Sequence, residues 1–576
     1  MVEAKCKIRP TLKCGDASEV NDGKGREMAL RVGLGQFNAS VGDIQGNVEA
    51  MRRVCAEAMR QSVDLLVFPE MAVCGYPPED LLLKNHFLRD NRRAVEQLAA
   101  YCPDITVIVG FAEAAGDGYF NSLAVLQRGR ISKIYRKCVL PNYGVFDERR
   151  YFRPGNASAL INLNGMAVML TICEDIWKPE RLDQFLGETA SKHLIVNISA
   201  SPFHLGKITQ RQEVLRKCAT YFGCAVAYCN LVGGQDELVF DGRSMFLDPA
   251  GNVVCQAKAF EEDMPVADIS LKKGKIVVVE GIKQPTGKRL RPPDPIAEVY
   301  GALLLGTRDY VRKNGFEKVI IGLSGGIDSA LTAALAVDAL TATNVVAVTM
   351  PSKFSSRETL ADARKVAKNL GIELHAIPIT RVLDRFDETL KDVEGWTHAG
   401  IAYENLQARI RGTILMTLSN QLSYMVLTTG NKSETAVGYS TLYGDTAGGF
   451  AVIKDVPKTM VYQLAAYLNK MHRRQVIPKS VIDRPPSAEL KENQKDTDSL
   501  PEYDLLDRIL KGYIEEDKSP HDMAAEGLPE DVVNRVIRMV DLNEYKRRQS
   551  PPGVKITPKA FGKDRRMPIT NRYISR

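Results

Sequence analysis

From Leu30 onward the chain alternates two patterns: short apolar, β-branched runs, and longer stretches whose apolar residues recur every three or four positions. The first read as strands and the second as amphipathic helices, because side chains return to one face every second residue in a strand and about every 3.6 in a helix. In the first half the strand-like runs are LRVGLGQF (30–37), DLLVFPE (64–70), DITVIVGFA (104–112), AVMLTICED (167–175), HLIVNISAS (193–201) and CAVAYCN (224–230), and NVEAMRRVCAEAMRQ (47–61) is typical of the helices. Runs this apolar predict strands covered on both faces, and so an α/β unit.

Residues 271–295, LKKGKIVVVEGIKQPTGKRLRPPDP, are rich in Lys, Gly and Pro and read as a connection. The alternation restarts at Ile296, with strands in KVIIGLSGG (318–326), NVVAVTMP (344–351), IELHAIPI (372–379) and SYMVLTTGN (423–431). Strands separated by helices predict a doubly wound parallel sheet whose ligands sit at the carboxyl ends of its strands. Residues 1–27 show no apolar period and read as a disordered extension. The expected organisation is therefore 1–27, an α/β unit 28–270, a linker 271–295, and a second unit 296–576 with a basic C-terminal tail.

Composition narrows the class. A chain of 576 residues with 44% hydrophobic content fills more than one core. No apolar run approaches membrane-spanning length, and the first thirty residues lack an apolar signal core, so a cytoplasmic protein without a membrane partner is expected. The net charge of +7 is modest for this length and the basic residues mostly alternate with acidic ones, which does not indicate a nucleic-acid partner. The stretch from Tyr545 to the end is the one basic bias, and reads as a solvated extension or, alternatively, an anion-binding tail. All eleven cysteines lie between Cys6 and Cys255 and none forms a C-x-x-C pair, which supports neither a zinc ribbon nor a dithiol site, and fits reduced thiols.

Residues 320–331, IIGLSGGIDSAL, carry chemistry. Two glycines let the backbone approach a ligand, and the free N–H groups of a helix start carry partial positive charge, so the loop suits an anion such as pyrophosphate. The lysine of G-x-x-x-x-G-K-[ST] is absent, which argues against ordinary γ-phosphoryl transfer. Asp328 is a candidate to bind Mg²⁺ on the α and β phosphates. A purely structural turn would need Asp328 or Ser329 only as a helix cap.

The string S-G-G-I-D-S resembles the fingerprint of the N-type ATP pyrophosphatases, which cleave ATP between α and β phosphates to adenylate an oxygen. Four further strings resemble NAD synthetase: ENLQAR (404–409), TTGNKSETAVGYSTLYGDTAGG (428–449), KDVPKTMVYQLA (454–465) and PPSAEL (485–490). The resemblance implies an adenine nucleotide α-hydrolase-like sheet. It implies ATP held by Ser324, Gly325, Gly326, Ile327, Asp328, Ser329, Thr429 and Lys458, and Mg²⁺ held by Asp328 and Glu434. It further implies that Asn405, Arg409 and Asp445 hold nicotinic acid adenine dinucleotide (deamido-NAD).

In the first half Cys173 ends the run AVMLTI, while DLLVFPE delivers Glu70 and YRKCVLPNY delivers Lys137 to other strand ends. A thiol attacks an amide carbon once a base takes its proton; Glu70 is the candidate base and later acid. Lys137 supplies fixed positive charge that would favour the thiolate and the oxyanion. None of the seven histidines forms a recognisable Cys-His pairing, and His193 reads as structural. Glu, Lys and Cys in this order resemble the carbon–nitrogen hydrolase (nitrilase) superfamily, implying an αββα sandwich. PNYGVFDERRYF (141–152) and NISASPF (197–203) resemble the glutaminase domains fused to NAD synthetases. By that resemblance Glu148 supports the lysine, and Tyr143, Glu174 and Ser201 recognise glutamine; without it, Glu148 and Arg149 would be an exposed pair of little energetic value.

From about residue 29 to its end the chain thus resembles the glutamine-dependent NAD synthetases. This implies glutamine, ATP and deamido-NAD as substrates, a shielded passage for ammonia, and a homo-oligomer. Two other readings stay open at this point: another N-type pyrophosphatase, such as a GMP synthetase or a tRNA-thiolating enzyme, and a non-catalytic nucleotide-binding scaffold.

Overall fold

The computed structural model describes residues 28–116, 118–184, 192–272, 275–282, 294–492 and 494–573. The expected disordered extension 1–27 lies outside them, as does 283–293 of the expected linker.

In the first half two sheets stack face to face. One orders its strands Lys275–Ile282, Val266–Lys272, Met28–Leu34, Leu65–Val67, Thr106–Ala115, Gly118–Gln127 and Arg130–Arg136. The other orders Val253–Gln256, Met245–Leu247, Ala225–Asn230, Leu194–Ser199, Met166–Ile172 and Ala159–Leu163. Leu30, Val32 and Leu34 from one sheet meet Val168, Leu170 and Ile172 from the other, every second residue, as strand geometry requires. The outer faces are covered by helices Ile44–Arg60 and Asn85–Tyr101 on the first sheet and Lys207–Phe222 on the second. The layers run αββα, as the resemblance to the carbon–nitrogen hydrolases implies.

Strand Lys275–Ile282 corrects the expected linker 271–295. It pairs antiparallel with Val266–Lys272 from Val266↔Ile282 to Lys272↔Lys275, so the β-branched run Ile276-Val277-Val278-Val279 prevails over its Lys- and Gly-rich flanks.

The second half has a five-stranded, wholly parallel sheet in the order Glu373–Ala376, Val345–Thr349, Val319–Gly322, Met425–Thr428 and Phe450–Ala451. Chain order reverses beside Val319–Gly322, whose neighbours lie on opposite sides. Such a switch point opens a crevice at the carboxyl ends of the strands, where the Ser324 loop emerges.

The halves share one apolar core. Helix Pro295–Lys313 lays Val299 and Leu303 against Val232 and Val239 of the ribbon formed by Val232–Gln235 and Leu238–Asp241. A Cβ on Gly306 would stand 2.8 Å from Val554 and 3.0 Å from Val239, so this close approach needs glycine. Buried Asp309 accepts from Asn38 Nδ2 at 2.6 Å and Gly234 N at 2.8 Å.

The basic C-terminal stretch is not a solvated extension. Val554 and Ile556 are buried, Leu205 N donates to Ile556 O at 2.8 Å, and Lys555 N donates to Glu237 O at 2.9 Å. Lys563 pairs with Glu79, and Arg566 with Asp147 at 2.7 Å. Its apolar Val-x-Ile seam enters the shared core, and its charges find carboxylates on the first half.

Candidate functional sites

The cysteine site assembles from strand ends of both stacked sheets. Glu70 follows Leu65–Val67, Lys137 follows Arg130–Arg136, and Cys173 follows Met166–Ile172; all three are buried. Lys137 Nζ donates to Glu70 Oε1 at 2.7 Å and to Glu148 Oε1 at 2.8 Å. Glu148, 4% exposed, is therefore no surface pair; Tyr76 OH also donates to it, at 3.0 Å. Glu70 accepts twice more, from Asn121 Nδ2 at 2.7 Å and Ala200 N at 2.8 Å, which fixes its plane.

Burial, foremost, pushes the Cys173 thiol well above its ordinary pKa; Glu70, Glu174 and Glu148 push the same way and Lys137 opposes. Lys137 does favour the thiolate, as expected, but burial and the carboxylates outweigh it. Lys137 itself stays an ammonium: burial disfavours its charge, but Glu148, Glu70 and Cys173 together outweigh burial. The resting pair is a thiol beside a fixed cation and a positioned carboxylate, so the proton leaves sulfur during attack. Cys173 takes φ +44, a left-handed conformation costly for a non-glycine residue, at the turn from strand into the short helix Cys173–Trp177.

Tyr143 OH donates to the Glu174 carboxylate at 3.0 Å, and Tyr143 itself is 53% exposed, at the rim. Ser201 is buried, with its N–H on Asn230 Oδ1 at 2.9 Å. His193 Nδ1 accepts from Ala167 N at 2.9 Å, a structural role. Cys138, beside the lysine, is partly buried, and its N–H donates to Asp175 Oδ1 at 3.0 Å.

Three participants escaped sequence reading. Asp175 accepts from Ile172 N, Tyr135 OH, Cys138 N and Val139 N, at 2.8 to 3.0 Å, tying the Cys173 strand end to the Lys137 strand end. Asn121 belongs to a hairpin strand with no motif. Lys207 lies near Cys173 and Glu174, its Nζ 4.5 Å from the Trp177 ring centroid; burial first, then Arg211, lowers its pKa to about 8. Only Asp175 left a signal, two residues after the cysteine.

The glycine-loop site lies at the switch point. Gly325 has φ +93, and a Cβ there would stand 2.1 Å from Thr359 O, so glycine is obligatory. The loop turns into helix Ile327–Leu340 with Gly326 as its cap residue. Ser329 Oγ donates to Gly326 O at 3.0 Å, and Gly326 N donates to Ser324 Oγ at 3.2 Å. Asp328 Oδ2 pairs with Lys458 Nζ, while Asp328 Oδ1 accepts from Asn431 Nδ2 at 2.9 Å. Lys458 also reaches Glu434 Oε1 at 3.2 Å. Burial raises the Glu434 carboxyl to about 7 against the pull of Lys458.

These groups face a cavity of about 330 Å³ that Thr429, Asp445, Arg411 and Arg484 also line. Asn405 and Arg409 do not line it. They hold its rim: Asn405 Oδ1 accepts from Thr441 Oγ1 at 2.7 Å, and Arg409 Nε donates to Leu442 O at 3.2 Å. Asp445, raised to about 6 by burial, accepts from Thr441 N at 2.7 Å. The sequence reading missed Asp496, a buried wall residue whose Oδ2 accepts from Tyr503 OH at 2.8 Å.

Among the described residues no group of three or more acidic, His or Cys side chains forms a ready metal cage. Asp328 from the glycine loop and Glu434 from helix Lys432–Val437 converge on the Lys458 ammonium, and such a carboxylate pair fits Mg²⁺, which takes one or two carboxylates and completes its shell with phosphates and water. Among the described residues no helix is long and apolar enough to cross a membrane.

Comparison with known proteins shows the same division. Residues 31–275 match the carbon–nitrogen hydrolase family and residues 299–550 the NAD synthase family. The glutamine-dependent NAD(+) synthetases of Thermotoga maritima and Aquifex aeolicus are 47% and 48% identical over 570 residues, covering 94% of this chain and 99% and 100% of theirs. The solved glutamine-dependent NAD+ synthetase of Acinetobacter baumannii, in complex with ADP, matches with a TM-score of 0.75 at 41% identity, covering 94% of this chain and 99% of that one. With both halves present in one order, and identity of this level across nearly the whole length, the chain belongs to the glutamine-dependent NAD(+) synthetase family.

Proposed function

We propose that this chain converts deamido-NAD to NAD, using ATP and ammonia drawn from glutamine. The observation that carries the reading is the pairing, in one chain, of a buried Glu70–Lys137–Cys173 cluster with a glycine loop beside Asp328, Glu434 and Lys458. One site releases nitrogen from an amide; the other activates a carboxylate to receive it.

At the first site Cys173 Sγ attacks the glutamine amide carbon as its proton passes to Glu70, and Lys137 stabilises the resulting oxyanion. Glu70 returns that proton to the departing amine, releasing ammonia and leaving a thioester. Water, deprotonated by Glu70, then hydrolyses the thioester to glutamate and restores the thiol. Tyr143, Glu174, Ser201 and Lys207 hold the amino-acid end of glutamine, with Glu174 suited to the ammonium and Lys207 to the carboxylate. Glu148 acts on the lysine rather than on glutamine.

At the second site the carboxylate of deamido-NAD attacks the α-phosphorus of ATP, forming an acyl-adenylate and releasing pyrophosphate. Ammonia then displaces AMP and forms the amide. The 324–329 loop, Thr429 and Lys458 bind ATP, and Asp445 in the cavity wall, with Asn405 and Arg409 beside it, binds deamido-NAD. Asp328 and Glu434 would hold Mg²⁺, which supplies positive charge to the phosphates. The two units, 28–282 and 296–576, work in the cytoplasm as a homo-oligomer with a shielded ammonia passage, since free ammonia would otherwise be protonated and lost.

The test is NAD formation from deamido-NAD, ATP and Mg²⁺ with glutamine or ammonium chloride, for the intact chain and Cys173→Ala. Loss of glutamine-dependent synthesis alone in the variant is expected. No NAD from either nitrogen source with the intact chain would overturn the assignment.

A further inference from the structure

A buried chain of alternating charge leads from the proposed glutamine pocket into the other half of the molecule. Arg211 donates from Nη2 to Ser201 O at 3.3 Å and to Ser201 Oγ at 3.4 Å. It grips Asp241 with both terminal nitrogens, Nη1 to Oδ2 at 3.1 Å and Nη2 to Oδ1 at 3.0 Å. Asp241 Oδ2 also lies 3.5 Å from Arg243 Nε, and Arg243 Nη2 donates to Glu298 Oε1 at 2.8 Å. Glu298 stands in the first turn of helix Pro295–Lys313, where the second half begins.

Side-chain exposure along this chain is 3%, 1%, 13% and 5%. Four ions this deep are costly unless each is paired, and removing one strands its neighbour. Arg243 also holds φ +55 beside Gly242 at +65, so the backbone accepts an unfavourable conformation at the residue that aims toward Glu298. Neither Asp241, Arg243 nor Glu298 belongs to the reacting groups of either site, so the chemistry proposed above leaves the arrangement unexplained.

We propose that Glu298 is a positioning residue for glutamine hydrolysis: through Arg243 and Asp241 it holds Arg211 against Ser201, so the glutamine pocket takes its working shape only with the synthetase half docked. Glu298 fixes Arg243, whose Nε lies against Asp241 Oδ2 and braces the carboxylate that Arg211 grips with two prongs. Without that brace, whether Glu298 or the whole Arg243–Glu298 pair is replaced, the Asp241 carboxylate is free to turn, and Arg211 loosens from Ser201. The inference rests on Ser201 facing glutamine, as proposed above.

Steady-state kinetics of the full chain test it, with glutamine and ammonium chloride as alternative nitrogen sources. In Glu298→Gln the glutamine KM rises roughly tenfold, the size of effect one hydrogen bond to a charged group commands, while kcat with ammonium chloride stays within about twofold. The apolar pair Arg243→Met with Glu298→Leu refills the same volume without charge and keeps the melting temperature, because such replacements of buried ion pairs are often neutral. It nevertheless retains the raised glutamine KM; a purely structural role predicts that KM restored. If Glu298→Gln does not fold, the apolar pair decides alone. Ser201→Ala distinguishes the failures. A raised KM in Ser201→Ala with a normal KM in the charge-free variants overturns the relay and leaves the pocket standing. A normal KM in Ser201→Ala overturns the pocket reading and the relay together.

Discussion

Lys207 stands near Cys173 and Glu174 at the start of a helix, where burial costs its ammonium more than the nearby acidic groups return, and its pKa falls to about 8. A lysine with a lowered pKa carries its charge below that value and loses it above, so the charge proposed to meet the glutamine carboxylate is present at neutral pH and absent in alkali. The expected consequence is a fall in kcat/KM for glutamine as pH rises through about 8. Lys207→Arg, whose guanidinium stays protonated, should extend the plateau to higher pH. Identical pH profiles for the two proteins would remove Lys207 from glutamine binding. The thiol of Cys173 makes a second prediction at this scale. Because burial and three carboxylates hold it protonated, iodoacetamide should alkylate it slowly at neutral pH, and far more slowly than a free cysteine; fast alkylation in the absence of glutamine would mean a resting thiolate.

At the scale of elements, the two sites depend on the turns that leave the strand ends. Asp175 collects four donors from two strand ends, and Asp175→Asn offers those donors a single acceptor oxygen and adds an N–H facing them. A loss of about 2 to 4 kcal/mol is expected if two or more of these buried bonds go unmade, together with loss of glutaminase activity. Urea unfolding and glutamate release measure the two effects. The glycine loop makes a complementary prediction. In Gly325→Ala the new Cβ collides with Thr359 O, so the loop must move. NAD synthesis should then fall with glutamine and ammonium chloride alike while glutamine hydrolysis persists; intact synthesis would show that the loop does not hold pyrophosphate.

Across the whole molecule, the halves are joined by a continuous apolar core and by buried polar bonds centred on Asp309, and the C-terminal stretch lies across both. Calorimetry should accordingly record one unfolding transition. Asp309→Ala, which leaves Asn38 Nδ2 and Gly234 N without this acceptor, should separate it into two. Two transitions in the unaltered protein would mean that the shared core contributes little to holding the halves together.

Much of this was legible along the chain. The parallel strands of both halves announce themselves as apolar runs, because strands buried on both faces carry little polar residue, and Glu70, Cys173 and Asp328, three of the residues proposed to act, stand where such runs end. The hairpin strands Gly118–Gln127 and Arg130–Arg136 were harder to see, since their sequences mix polar and apolar positions. The strand Lys275–Ile282 was concealed by its lysine- and glycine-rich surroundings. Alone, the sequence determined two α/β units, the second with a parallel sheet, and the glycine loop, because those arise from local periodicity and from short strings of fixed spacing; the αββα layering and the candidate reacting residues came from its resemblance to known families. Only the tertiary structure decided that Cys173 rests as a thiol, that Asn121, Lys207 and Asp496 join the sites, and that the basic C-terminus binds the two halves together. Burial, and the charges met through burial, come from residues far apart in the chain, and no local pattern carries them.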